Sequence, residues 1–267
     1  GYIMTAQVKT GPTRRGVLAM AAGAGALATA GSGSPARAQV ATQARIVILG
    51  AGAAGAALAN RLDARLDGAK ITIVDGRAEH WYQPGFSLIA AGLKPASYSV
   101  SRTTDWLPRR VELKADWAAS IDPETRQVAL QGGEVLGYDY LILATGLVLD
   151  HGAIEGFDLD LVGTNGLGAL YAGPDYAART WSAAQAFVES GGRGIFTRPA
   201  TEMKCAGAPL KHTFLIDDHA RTAGTRGKME LAYAAHNDSL FGVPIVAEKV
   251  RMLFAERGIE TCGSHVL

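Results

Sequence analysis

Cysteine is scarce: the 267 residues hold two, Cys205 and Cys262. Two thiols cannot build a disulfide framework or a four-thiolate zinc site. Charged residues are also few, at 19%, against 48% hydrophobic, which excludes disorder as the general state. Acid is missing altogether from residues 1–38, which carry Lys9, Arg14, Arg15 and Arg37. The whole chain is at +1, so the remainder is at −3, and that balance gives no electrostatic case for nucleic-acid binding. Glycine is abundant, 33 of 267. Such short side chains let backbones approach closely, favouring tight turns and helix–sheet contact over a coiled coil.

The acid-free segment has the three-part layout of a secretory leader. Arg14-Arg15 precede a mild apolar run, Val17–Gly31, and Pro35-Ala36-Arg37-Ala38 supplies an A-x-A cleavage site. The arginine pair resembles a twin-arginine export signal. Val17–Gly31 is 15 residues, mostly Ala and Gly, whereas a membrane span needs roughly 18–20 strongly apolar ones. The expectation is export, a periplasmic location and a mature start at Gln39. No other stretch reaches spanning length, so the rest is expected to be soluble or bound at a membrane surface.

Arg45-Ile-Val-Ile-Leu49 is a continuous apolar run and reads as a buried parallel strand. Gly50-Ala-Gly52-Ala53-Ala-Gly55 follows at once, then an Ala-rich helix to about Leu66. Lys70-Ile-Thr-Ile-Val-Asp75 is a second strand, ending in an acid 20 residues after Gly55. Each part has a duty at a dinucleotide site. Gly50 permits the tight turn, Gly52 and Ala53 admit a pyrophosphate to the helix N-terminus, and Gly55 lets helix and strand pack closely. Asp75 can accept from a ribose diol. Residues 111–136 alternate short strand-like runs with turns, as a small inserted β-meander would. Tyr138-Asp-Tyr140-Leu-Ile-Leu-Ala-Thr145-Gly146 then reads as a strand. It resembles the strand closing the FAD domain of two-dinucleotide-fold flavoproteins, a resemblance that implies FAD.

A second unit starts at Gly191-Gly-Arg-Gly-Ile-Phe-Thr197, read as a strand. A helix from about Pro209 to Thr222, a strand at Lys228–Ala235 and a helix at Val246–Arg257 complete it. The fold class expected is α/β, with two Rossmann-like units on parallel sheets. Residues 39–150 would be the first domain and 151–267 the second. The second unit lacks the glycine turn. Arg198 to Pro209 is long, holds two prolines and one glycine, and cannot wrap a pyrophosphate as GxGxxG does. It presents Cys205 instead. With Pro209 as the first helical residue, the helix dipole and Lys204 both favour a thiolate there. The alternative is an inert buried cysteine.

Thr201-Glu-Met-Lys204-Cys205-Ala-Gly-Ala-Pro209-Leu-Lys211 closely resembles the cysteine loop of sulfide:quinone oxidoreductases. His80-Trp-Tyr82-Gln83-Pro84-Gly85 resembles that family's Tyr-Gln-Pro segment near the flavin, and Ser239-Leu-Phe241-Gly-Val-Pro244 its Phe-Gly-Val turn. The resemblance runs from about Ala44 to Glu260, specific at 203–209 and generic for flavoproteins elsewhere. It implies FAD held by Gly50, Gly52, Ala53, Gly55, Asp75, Gln83, Pro84, Thr145 and Gly146. It implies catalysis at Cys205, assisted by Lys204. Sulfide would attack a disulfide or trisulfide to a second cysteine, Cys205 would carry persulfide, and electrons would reach a membrane quinone.

The chain departs from that pattern too. The Gly-Asp pair of the family's returning FAD segment is absent, and the FAD domain is expected to be incomplete. The second cysteine, the quinone pocket and the peripheral membrane contact would lie in that returning part. Cys262, in Thr-Cys-Gly-Ser-His, reads as incidental. Other readings are the flavoprotein subunit of a flavocytochrome sulfide dehydrogenase, with a cytochrome partner, an NADH-dependent flavin reductase, which the 198–209 loop disfavours, or an inactive fragment. His212 and His219 lie seven apart on one helix without a third ligand, so they read as satisfied or solvated histidines and no metal is expected.

Overall fold

The computed structural model describes residues 39–201 and 203–265. The leader residues 1–38 lie outside the described residues.

The first sheet is built from the runs that read as buried strands. β1 (Arg45–Leu49) is buried at every position but its first. α1 (Ala53–Arg65) follows, and β2 (Lys70–Val74) pairs in parallel with β1, Ile48 opposite Ile73. Both of those side chains are fully buried, as expected for strands covered on both faces. After an antiparallel pair, β3 (Glu79–Trp81) and β4 (Val100–Arg102), and the short α2 (Phe86–Ile89), β5 (Glu112–Lys114) joins β2 in parallel. Residues 111–136 read as one meander, but β5 leaves it for the parallel sheet. The meander itself is β6 (Ala118–Asp122), β7 (Gln127–Leu130) and β8 (Val135–Gly137), antiparallel throughout. Its Val128 and Leu130 join Val47, Leu49 and Val74 in one core cluster, while Ile46, Ile48, Ile71 and Ile73 join Ala59 of α1 in another.

β9 (Tyr140–Leu143) closes the chain order, lying parallel to β1 on its other side. The sheet order is β9-β1-β2-β5. The strand is shorter than expected: Ala144, Thr145 and Gly146 run past its end as coil. Tyr140 and Leu143 are both 64% exposed at this edge.

α3 (Pro174–Ser190) leads to the second sheet. β10 (Gly192–Thr197), α4 (Gly207–Thr222), β11 (Met229–Ala234), α5 (Pro244–Arg257) and β12 (Ile259–Cys262) alternate strand and helix. The three strands are parallel in the order β10-β11-β12. Ile216, Leu231, Tyr233 and Phe254 fill the core beside them. Cys262 is the last residue of β12, and its carbonyl accepts from Ala235 N–H at 3.0 Å. Asp217 is fully buried in α4 and is paired by Arg221, Arg226 and Arg257. Among the described residues no helix is long and apolar enough to cross a membrane.

Candidate functional site

The glycine turn divides its glycines by what surrounds them. Gly50 has φ +101°, and a Cβ there would collide with the Ala144 carbonyl. A Cβ on Gly55 would collide with the Gly50 carbonyl. Both glycines are thus required by backbone contact. Gly52 is different: its φ is −68°, and a Cβ would meet only the Arg77 guanidinium, at 4.0 Å. Open space stands above it. Gly52 is the N-cap of α1, no side chain caps that end, and the first turn holds no acid. Ala53, the first helical residue, is exposed. An uncapped N-terminus beneath open space fits an anionic diphosphate.

Asp75 directly follows β2 and meets this turn. It is 4% exposed and accepts from the Ala51 N–H at 2.8 Å. Arg77 grips it with three donors: backbone N–H to Oδ1 at 2.9 Å, Nε to Oδ1 at 3.1 Å and Nη2 to Oδ2 at 2.9 Å. Burial pushes this carboxyl up, but the Arg77 and Ala51 hydrogen bonds outweigh it and hold it below its usual range. Asp75, the acid expected to reach a ribose, braces the turn through these bonds. Arg77 is itself half-exposed and reaches to 4.0 Å from a Cβ built on Gly52, and no local pattern in the sequence marks it.

Gln83 and Pro84 lie in a 3₁₀ turn, Gln83–Gly85, that leads into α2. The Lys204 ammonium donates to Gln83 Oε1, joining the cysteine loop to this segment. It also lies 5.6 Å from the centre of the Tyr171 ring. Burial lowers the Lys204 pKa, as expected for an ammonium drawn away from water. Tyr171 is pushed up to about 12, first by burial and then by the nearby Cys205. Cys205 is exposed. The structure thus brings together Gln83, Lys204, Cys205 and Tyr171. Tyr171 carried no local signal, because its neighbours in the site are distant in sequence.

The start of α4 differs from expectation. The helix begins at Gly207 with Ala206 as its N-cap, so Pro209 is its third residue. Cys205 precedes the cap and its carbonyl accepts from Ala208 N–H at 3.0 Å. Thr145 backbone lies against Gly50, and Gly146 adopts φ +75°, placing the Ala-Thr-Gly segment beside the glycine turn.

His212 and His219 are satisfied side chains. Their Nε2 atoms bond to the Ala90 and Ala91 carbonyls at 3.0 and 2.6 Å. These successive carbonyls follow α2, so α4 is tied to the turn after the Gln83 segment.

Residues 44–172 match the pyridine nucleotide-disulphide oxidoreductase family. The mitochondrial sulfide:quinone oxidoreductase of Mus musculus is 33% identical over 226 residues, covering 83% of this chain and 48% of that protein. The Dictyostelium discoideum counterpart is 32% identical over 227 residues, covering 84% and 49%. The sulfide-quinone reductase of Aquifex aeolicus is 27% identical over 221 residues, covering 80% and 49%. The solved Aquifex aeolicus sulfide:quinone oxidoreductase superposes with a TM-score of 0.68 at 23% identity, covering 84% of this chain and 52% of that one. Sulfide:quinone oxidoreductases are therefore homologues of this chain over most of its length. The chain spans about half the length of these curated relatives.

Proposed function

We propose that this chain serves an FAD-dependent oxidoreductase that takes sulfide to sulfane sulfur on Cys205 and passes the electrons to a quinone. The observation that carries the reading is the bond from Lys204 to Gln83. It sets an exposed cysteine beside the Tyr-Gln-Pro segment of a unit whose glycine turn fits a dinucleotide. The homologous sulfide:quinone oxidoreductases support the substrate and acceptor.

The protein's own contribution is position and charge. The uncapped start of α1 would hold the diphosphate, with Gly52 leaving room for it and Arg77 flanking it. When bound, FAD supplies the two-electron acceptor between sulfur and quinone. Cys205 takes part in exchange: sulfide attacks a disulfide between it and a second cysteine, one S–S bond breaks and another forms, and a thiolate leaves. The sulfide sulfur, now bonded as persulfide, has lost two electrons to the former disulfide. Lys204 stabilises negative charge on the neighbouring sulfur. Arg14-Arg15 and the Ala36-Arg37-Ala38 site support export to the periplasm.

The test is Cys205→Ser in FAD-loaded protein that carries the returning segment with the second cysteine. Sulfide added without oxygen should bleach the visible flavin band of the parent and leave the variant yellow, with FAD content unchanged. Equal bleaching in both would overturn the assignment of Cys205. Unchanged export after replacing both arginines with lysine would remove the twin-arginine reading.

A further inference from the structure

Hydrogen-bond donors without acceptors gather at the carboxyl end of the second sheet. Arg198 follows β10 directly, its backbone N–H bonded to the Ala234 carbonyl at 3.1 Å. Its side chain turns inward and is 8% exposed. A guanidinium cannot shed its charge. Yet Nη2 donates only to neutral acceptors, Asn237 Oδ1 at 3.0 Å and the Ser239 carbonyl at 3.3 Å. Nε–H has no acceptor among the described residues. Glu202, the nearest acid in sequence, lies outside the described residues, and Asp238, next to Asn237, turns its carboxylate toward Gly263.

The same network fixes the proton on His236. Asn237 Oδ1 accepts from Arg198 and also from the Ser239 N–H at 3.1 Å. Its amide nitrogen therefore faces His236 Nε2, at 2.9 Å, and donates to it. Neutral His236 then carries its hydrogen on Nδ1, which is buried and has no partner. The third orphan is the hydroxyl of Tyr233, a fully buried residue one position before the end of β11. Burial pushes Tyr233 up to about 12 while the Arg198 charge pulls the other way, so the two lie within electrostatic reach.

Each buried polar group left without a partner costs roughly 1–3 kcal/mol, and an unpaired buried charge costs more. Here the three orphans are all donors, and one is cationic. A water would answer the hydrogen bonds but not the charge. The carboxyl end of parallel strands is also where open α/β sheets bind ligands. We propose that this end of the second sheet binds a small oxyanion of the phosphate or sulfate type, with Arg198, Tyr233 and His236 as its donors. The Arg198–Pro209 loop has no glycine turn for a diphosphate, so one oxyanion group fits rather than a dinucleotide. This inference is independent of the flavin reading.

The test is calorimetric titration of the full chain with inorganic phosphate, with sulfate and with adenosine monophosphate, in an oxyanion-free buffer and excess FAD. Saturable binding near one per chain is expected, weakened about tenfold or more in Arg198→Gln and less in Tyr233→Phe and His236→Ala. Tighter binding of the nucleotide marks an esterified phosphate as the ligand. Equal or weaker binding marks the free ion. Should Arg198→Gln not fold, the Tyr233→Phe and His236→Ala isotherms decide. No saturable binding by any probe, or affinity unchanged in the folded variants, would overturn the proposal.

Discussion

Lys204 and Gln83 are 121 positions apart in sequence, yet the ammonium of one donates to the amide oxygen of the other. Lys204 belongs to the loop before α4, and Gln83 to the turn before α2. The bond is thus a strap between the cysteine loop and the first Rossmann-like unit, with the Tyr171 ring beneath the cation.

A double-mutant cycle measures that strap. Gln83→Ala and Lys204→Ala should each lower stability modestly, since the groups are partly exposed. Their effects should be non-additive, with a coupling of about 0.5–1 kcal/mol. Urea unfolding of the parent, both single variants and the double variant gives the number. Additivity within about 0.3 kcal/mol would mean that the contact carries no energy.

Asp75 should matter to the fold before it matters to any ligand. Asp75→Asn sets an amide donor against Ala51 N–H or Arg77 and leaves a guanidinium unpaired. A loss of about 2–4 kcal/mol at neutral pH is expected by denaturant titration. The native carboxyl is held below its ordinary value of about 3.9. Its contribution is therefore full above that value and is lost as pH falls through the native pKa. The gap between parent and variant should narrow in acid. A gap under about 0.5 kcal/mol at neutral pH would reduce Asp75 to a bystander.

His212 predicts a second pH effect at milder acidity. Burial lowers its pKa, only partly offset by the bond to the Ala90 carbonyl. The unfolded chain then takes up the proton first. Stability from this residue is full above about 6.5 and declines as pH falls toward the lowered native value. His212→Gln keeps a donor for Ala90 but cannot titrate. Unfolding free energies at pH 7.5 and pH 5.5 should differ more in the parent than in the variant. Parallel pH profiles would remove His212 as the cause.

The sequence was most legible where one segment does one job. β1, the glycine turn and β2 are contiguous, and their periodicity and spacing declare them. The cysteine loop was legible by likeness, though its helix starts two residues earlier than Pro209 suggested. What was missed depends on distant partners. α3 buries the small side chains Ala177, Thr180 and Ala183 with Val188 and sets Trp181 and Phe187 against the core of the second sheet, partners that only the fold supplies. β5 has three residues and is defined by pairing with β2. The roles of Arg77, Tyr171 and Arg198 exist only once the chain is folded, because their partners arrive from other elements.

The glycine turn offers a test that separates fold from ligand. Gly50→Ala and Gly55→Ala each drive a methyl into backbone, and Gly50 also needs its positive φ. Both should cost about 1–3 kcal/mol or more, or prevent folding. Gly52→Ala should not. Its φ of −68° suits alanine, and the added methyl meets only the Arg77 side chain at 4.0 Å. Its melting temperature should stay level or rise slightly, because alanine restricts the unfolded chain. The methyl would nevertheless stand in the space that a diphosphate must enter. FAD affinity should fall about tenfold or more while stability is kept, as measured by flavin fluorescence titration. Unchanged affinity in a well-folded Gly52→Ala protein would show that the pyrophosphate does not lie over this helix, and the proposed cofactor site would have to move elsewhere.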